Sequence, residues 1–213
     1  VADTVVAPYN VVPTLDDTYA AVIVEPCAAN MGLVAPVPGF LEGLRAECDR
    51  VGALLIFDEV ITGFRVARGG AQQLTGVSAD LTTFGKIIGG GLPVGAFGGR
   101  AEVMDVLAPL GPVYQAGTLS GNPLATAAGL AVLDLLDDDA YRLLEAGADR
   151  LATELQAALD GAGLVARVPR FASLVGLFFG EAVPHDYVSA CVTDEARYAA
   201  FFHALLRRGV AIA

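Results

Sequence analysis

Lys86 is the only lysine in the chain, which otherwise carries its basic charge on twelve arginines. It stands between an apolar run ending at Phe84 and a glycine-rich stretch from Gly89 to Gly99. Ile87 and Ile88 follow it, and no acidic residue is close by in sequence. A lysine among apolar neighbours loses stability as a cation, so its neutral amine becomes available as a nucleophile. A surface lysine beside a turn is the commoner situation for lysines in general. Here arginine fills every other long basic position, and only lysine forms a Schiff base with a carbonyl group.

Asp58 directly follows the apolar run Ala53-Leu54-Leu55-Ile56-Phe57. A carboxylate in that place is costly unless it is paired or hydrogen-bonded. Ligand sites gather at the carboxyl ends of parallel strands, where Asp58 and Glu59 would sit. A solvated strand end accounts for Asp58 equally well when it is taken alone. Lys86 lies 28 residues further on. Enzymes using pyridoxal phosphate combine such a lysine with an acid that keeps the pyridine nitrogen protonated.

The third element is Gly117-Thr118-Leu119-Ser120-Gly121-Asn122, which precedes a helical pattern. Free backbone N–H groups and hydroxyls at a helix start suit a phosphate. An N-cap with a tight turn is the plainer reading, and the segment alone favours it. The glycine run lacks the G-x-G-x-x-G spacing, with Val94 at the third glycine position, so a dinucleotide fold is a poor reading. His185 and His203 have no Ser or Cys partner pattern and are too few for a metal, which makes them surface or satisfied core residues. Cys27, Cys48 and Cys191 form no C-x-x-C pair. They are read as buried thiols of a reducing cytoplasm, with no metal and no disulfide framework.

These residues need a sheet to hold them. Ala20 to Glu25 reads as a buried strand, and Phe40, Leu41, Leu44, Cys48 and Val51 mark one face of a helix that Gly52 ends. Ala53 to Phe57 is the next buried strand, so the three form a βαβ unit of a parallel sheet. Asp80 to Phe84 is a third strand. A helix follows over Asn122 to Leu136, Asp137-Asp138-Asp139 interrupts, and an amphipathic helix runs from about Tyr141 to Leu159. Leu164 to Val168 and Leu174 to Phe179 are strand candidates ahead of a helix near Glu195 to Arg208. Ala211 to Ala213 resembles a strand start. The fold class is α/β, with a first unit over 1–138 and a smaller α/β unit over 139–213.

The composition sets limits on partners. With 213 residues, 54% hydrophobic and 17% charged, the chain is built to bury a core and is not disordered. A net charge of −11 gives no general attraction to nucleic acid or to an anionic membrane surface. No apolar run approaches the ~20 residues of a membrane span, and Val1-Ala2-Asp3-Thr4 is no signal peptide.

Phe57-Asp58-Glu59-Val60, Thr62-Gly63-Phe64-Arg65 and Asp80-Leu81-Thr82-Thr83-Phe84-Gly85-Lys86 together resemble the cofactor-lysine motif of class III (subgroup II) aminotransferases. Glu25 to Gly32, Gly89 to Arg100 and Tyr114 to Pro123 narrow the likeness to the aminomutase branch, which moves an amino group within one substrate. The resemblance implies the fold type I of pyridoxal-phosphate-dependent transferases: a mostly parallel sheet in a large domain, plus an incomplete small C-terminal α/β domain. It implies pyridoxal 5'-phosphate, in its pyridoxamine form, as cofactor, and a small-molecule substrate of tetrapyrrole synthesis. By the same resemblance Lys86 is the catalytic lysine that bonds the cofactor and moves protons between substrate carbons. Asp58 partners the pyridine nitrogen, Val60 packs on the ring face and Asn30 lies near the ring hydroxyl. Gly117 and Thr118 reach the cofactor phosphate of the neighbouring subunit in a cytoplasmic homodimer.

Family members are about twice this long. Their N-terminal half, with the other phosphate loop, the ring-stacking aromatic residue and groups for the substrate carboxylate, is expected to lie outside these residues. The 213 residues alone are therefore expected to be inactive. An ordinary class III ω-aminotransferase with an external amino donor, and a non-catalytic remnant that only dimerises, are the alternatives.

Overall fold

The computed structural model describes residues 3–212. Four strands, β1 (Ala21–Val24), β2 (Leu54–Asp58), β3 (Leu81–Phe84) and β4 (Ala96–Gly99), lie in the order β1-β2-β3-β4. β1 and β3 both run parallel to β2, and β4 runs antiparallel to β3. Helix α1 (Phe40–Val51) crosses from β1 to β2, and Gly52, with φ 78°, ends it. The two apolar runs and the helix between them thus form the parallel unit that their pattern implies, but β1 is partly exposed and not the buried strand expected. Strand β4 was not anticipated. Ala96-Phe97-Gly98-Gly99 has no β-branched residue, and its strand form comes from pairing with the free edge of β3.

One face of the sheet carries the main core. Leu55 and Phe57 pack there with Phe40, Leu41, Leu44 and Cys48 of α1, all buried. The opposite face is sparsely covered: Ile23 is 64% exposed and Phe97 44%. Asp58 and Thr83 are paired in the β2–β3 register and share this more open face.

β3 is fastened at its start by a buried carboxylate. Asp80 accepts bonds from Arg45 of α1 and from Arg100 just after β4, each at 2.7 Å, and from the Leu55 amide at 2.7 Å. Burial pushes this carboxyl up, but Arg100, the Leu55 amide and Arg45 together hold it below its ordinary value.

Helix α2 (Gly70–Thr75) lies between β2 and β3, and beyond β4 come the short α3 (Ala101–Met104), α4 (Pro123–Leu135) and α5 (Asp138–Gly161). The acidic cluster does separate α4 from α5, and it also starts α5. Asp137 caps the Ala140 amide, while Asp138 and Asp139 occupy the first turn, where the helix dipole favours negative charge. The helix therefore begins three residues earlier than the apolar periodicity indicated.

The segment from Leu164 to Val168 is not a strand. Gln156 of α5 takes the Val168 amide and the Ala166 carbonyl, and only an Arg167–Phe178 bridge forms across the gap. The alternation of Leu164, Ala166 and Val168 is real, because all three pack on a cluster with Leu159 and Phe179. Two-residue strands β5 (Arg170–Phe171) and β6 (Leu174–Val175) pair instead. Short α6 (Tyr187–Ala190) and α7 (Glu195–Leu206) follow. Residues 211 and 212 have no regular structure, and Ala213 lies outside the described residues.

Cys27 and Cys48 are buried, and burial pushes the Cys27 thiol up to about 12. Cys191 is exposed, contrary to the expectation of three buried thiols. It sits just past the four-residue α6, too short an element to cover its own end.

Asp80→Ala should lower stability by about 2–4 kcal/mol in urea titration, below the full cost of breaking a buried pair because Arg100 is half exposed. Its folded pKa is depressed, so its contribution is present above the unfolded value near pH 4 and disappears as pH falls through the folded value. Asp80→Asn should accordingly flatten the acid limb of the stability curve below about pH 4. An unchanged acid limb would remove Asp80 from this role.

Candidate active site

Because β1, β2 and β3 are parallel, their carboxyl ends lie along one edge of the sheet. Asn30 is in the loop after β1, Asp58 is the last residue of β2, and Lys86 follows β3 after Gly85. Open α/β sheets bind ligands along such an edge, outside the carboxyl ends of their strands.

Asp58 is half-buried and hydrogen-bonded on one side only. Its Oδ1 accepts the Val60 amide at 3.0 Å and the Thr83 hydroxyl at 3.2 Å. Among the described residues nothing donates to Oδ2. The price of placing a carboxylate after a buried run is thus met by two local donors, with one oxygen left open.

Lys86 opens a 3-10 turn, Lys86–Gly89, with φ 48°. A non-glycine residue in the left-handed region costs about 1–2 kcal/mol. Val60 packs at the foot of this turn: a Cβ on Gly85 would lie 3.1 Å from Val60 Cγ1. The turn is backed by α4. A Cβ on Gly129 would lie 2.1 Å from the Ile88 carbonyl oxygen, so only glycine lets the helix come this close.

The expectation of apolar surroundings for Lys86 does not hold within these residues. The side chain is exposed, at the mouth of an open cavity of about 570 Å³ whose lining includes Arg65, Leu92, Pro93 and Val94. Hydrophobic flanks in sequence did not become walls, because Ile87 and Ile88 are themselves only half-buried in the turn.

Two groups support the site in ways that sequence reasoning did not assign, although it placed Glu59 at the strand end beside Asp58. Glu59 is 1% exposed and takes the Ala71 amide at 2.6 Å, the Thr62 hydroxyl at 3.0 Å and Gln72 Nε2 at 3.1 Å. It ties the segment after Asp58 to α2. Gly129 was the other, and its only signal was a glycine inside an alanine-rich helix.

Asn30 is exposed and lines a different cavity, of about 670 Å³, with Tyr9, Glu25 and Met31. Gly117 and Thr118 are exposed in a loop and share neither a hydrogen bond nor a cavity with Lys86. The first amides of α4 are not offered to a phosphate, since Asn122 Oδ1 caps those of Leu124 and Ala125. The plainer N-cap reading holds at that helix end. The structure therefore gathers Asp58, Val60 and Lys86, puts Asn30 on the same edge, and leaves Gly117 and Thr118 apart.

His185 and His203 are exposed. Among the described residues no group of three or more His, Cys, Asp or Glu is placed to hold a metal, and no helix is long and apolar enough to cross a membrane.

A parallel sheet with a lysine after one strand and a carboxylate at the end of its neighbour is the arrangement of a cofactor-dependent transferase. The class-III aminotransferase family model matches residues 6–213, and the chain belongs to that family. It is similar to the glutamate-1-semialdehyde 2,1-aminomutase of Syntrophobacter fumaroxidans, 60% identical over 195 residues, covering 91% of this chain and 45% of that protein. It is likewise 53% identical over 220 residues to the same enzyme of Nitratidesulfovibrio vulgaris, covering 100% of this chain and 52% of that protein. A crystal structure of a glutamate-1-semialdehyde aminomutase from Pseudomonas aeruginosa in complex with PMP superposes with a TM-score of 0.85. Its identity is 28%, covering 97% of this chain and 49% of that one. The chain spans about half the length of the curated relatives it matches.

Gly129→Ala should push α4 off the Lys86 turn. Loss of about 1–3 kcal/mol is expected, the scale of overpacking a close contact. Urea titration reads it, and a Gly129→Ala variant as stable as the parent would show that the contact is slack.

Proposed function

We propose that this chain carries the lysine-bearing half of the site of a pyridoxal-phosphate-dependent aminomutase that converts glutamate-1-semialdehyde to 5-aminolevulinate in tetrapyrrole synthesis. The observation that carries the reading is the β2–β3 register, which puts Asp58 and Lys86 at the carboxyl ends of adjacent parallel strands. The identity to aminomutases at 53–60% favours intramolecular transfer over an external donor.

The residues present fit the ring and aldehyde ends of that cofactor. An amine, a carboxylate with one oxygen open and the small apolar face of Val60 over Gly85 are the groups such a ring requires. When bound, pyridoxal phosphate supplies an aldehyde that carries the amino group and a ring that draws electrons from the substrate. The protein's own part is then assigned by residue. Lys86 would hold the resting cofactor through Nζ and, with that amine free once the amino group has passed to the cofactor, would move the proton between the two reacting substrate carbons. Asp58, through its open oxygen, keeps the ring nitrogen protonated. Val60 would pack on the ring face and Asn30 would lie near its hydroxyl.

For the phosphate we propose Gly117 and Thr118, serving the site of a second copy in a homodimer, which accounts for their exposure and separation from Lys86. Residues 1–138 are assigned to the large cofactor domain and 139–213 to the small one, a division at the acidic start of α5. The reaction is assigned to the cytoplasm.

The experiment uses the protein in the full length its gene encodes, supplied with glutamate-1-semialdehyde and no amino acid. 5-Aminolevulinate should form; a strict need for an added amino donor would establish the ω-aminotransferase instead. Lys86→Ala should abolish turnover and leave no borohydride-fixed pyridoxyl group. Asp58→Asn should lower kcat at least ~100-fold, the scale of losing one electrostatic partner of the reacting group. Near-normal turnover of either variant would contradict its role.

A further inference from the structure

We propose that Thr83 is a positioning residue for Asp58 and thereby sets which carboxylate oxygen meets the cofactor's ring nitrogen. The inference rests on the reading above and extends it to a residue outside the groups that touch the ring.

Three observations converge on this threonine. In the β2–β3 register Thr83 stands opposite Asp58, so their side chains emerge on the same, more open face of the sheet. Its hydroxyl donates to Asp58 Oδ1 at 3.2 Å, alongside the Val60 amide at 3.0 Å. Its carbonyl accepts the Glu59 amide at 3.0 Å, so the same residue holds the backbone just past Asp58. Both donors to Asp58 converge on a single oxygen, and a carboxylate pinned through one oxygen has a fixed plane. Oδ2, without a donor among the described residues, is left to meet a protonated ring nitrogen.

The neighbouring threonine shows that a hydroxyl on β3 is not enough. Thr82 is 6% exposed, faces the other side of the sheet and takes Gln72 Nε2 at 3.1 Å. Only Thr83 has Asp58 as its cross-strand partner. Three residues further on is Lys86, so β3 carries both the amine and the group that aims the carboxylate.

A donor on the oxygen opposite the ring also matters chemically. With both local donors on Oδ1, the lone pairs of Oδ2 stay free to accept from a protonated ring nitrogen. Without the Thr83 hydroxyl only the Val60 amide holds Oδ1, and the carboxylate is freer to turn about its χ2 angle and share Oδ2 with water.

The test compares Thr83→Val and Thr83→Ser with wild type and Asp58→Asn, in the full-length cofactor-loaded protein. Valine keeps the β-branched shape and removes the donor, whereas serine keeps the donor and removes the methyl group. Positioning predicts that Thr83→Val lowers kcat about 10-fold, as expected for one hydrogen bond to a charged group, with KM changed less than about 2-fold. It should also weaken cofactor binding in equilibrium dialysis and shift the visible absorption band of bound pyridoxal phosphate in the direction of Asp58→Asn. Thr83→Ser should restore the band and most of kcat. A merely structural threonine predicts the reverse order, with valine harmless and serine worse because strand packing favours the branched residue. If Asp58→Asn moves the band and Thr83→Val does not, this inference is overturned while the aminomutase reading stands. If the wild type shows no pyridoxal phosphate band, both fall together.

Discussion

Everything at the candidate site depends on how β3 is held against β2. Two carboxylates fix that pairing, one at each end. At the start, Asp80 joins Arg45 of α1 and Arg100 beyond β4 to the Leu55 amide near the start of β2. At the other end, Thr83 binds Asp58 and receives the Glu59 amide. A slip of one residue along this ladder would turn Thr83 to the opposite face and carry Lys86 away from Asp58. The bonds at Asp80 oppose that slip, because a shifted Asp80 would leave the Leu55 amide and give up its pairs with Arg45 and Arg100.

The second consequence concerns the turn that follows. Lys86 adopts a left-handed backbone that its side chain does not favour, and α4 comes within contact of the same turn through Gly129. Below, Glu59 takes three donors, Thr62 from the segment joining β2 to α2 and Ala71 and Gln72 from α2 itself. The lysine therefore sits on a rigid base even though its amine is exposed. The rigid part is the backbone, while the walls around the amine are open in these residues.

Much of this was legible in the sequence, and the limits have physical causes. Strands β1, β2 and β3 announced themselves as short apolar runs, although β1 is not buried and Ile23 is exposed on the open face, and Gly52 marked the end of α1. Strand β4 and the failed strand at Leu164 to Val168 were illegible because each depends on a partner: an edge of β3 in one case, the Gln156 amide in the other. Lys86 and Asp58 stood out by type and position. The hydroxyl of Thr83 did not, since a threonine in a strand is ordinary until its cross-strand neighbour is known. The exposure of Lys86 was misread from its flanks, for hydrophobic neighbours in a turn do not necessarily surround the residue between them.

The central claim is that one ring is held between Lys86 and Asp58 at the ends of β3 and β2. Nitrogen NMR of the full-length protein loaded with ring-labelled 15N pyridoxal phosphate tests it most directly, because the shift reports the protonation of the ring nitrogen. The account predicts a protonated nitrogen in the wild type, with the signal moving toward the neutral pyridine position in Asp58→Asn. A neutral ring nitrogen in the wild type, or one indifferent to Asp58→Asn, would contradict it.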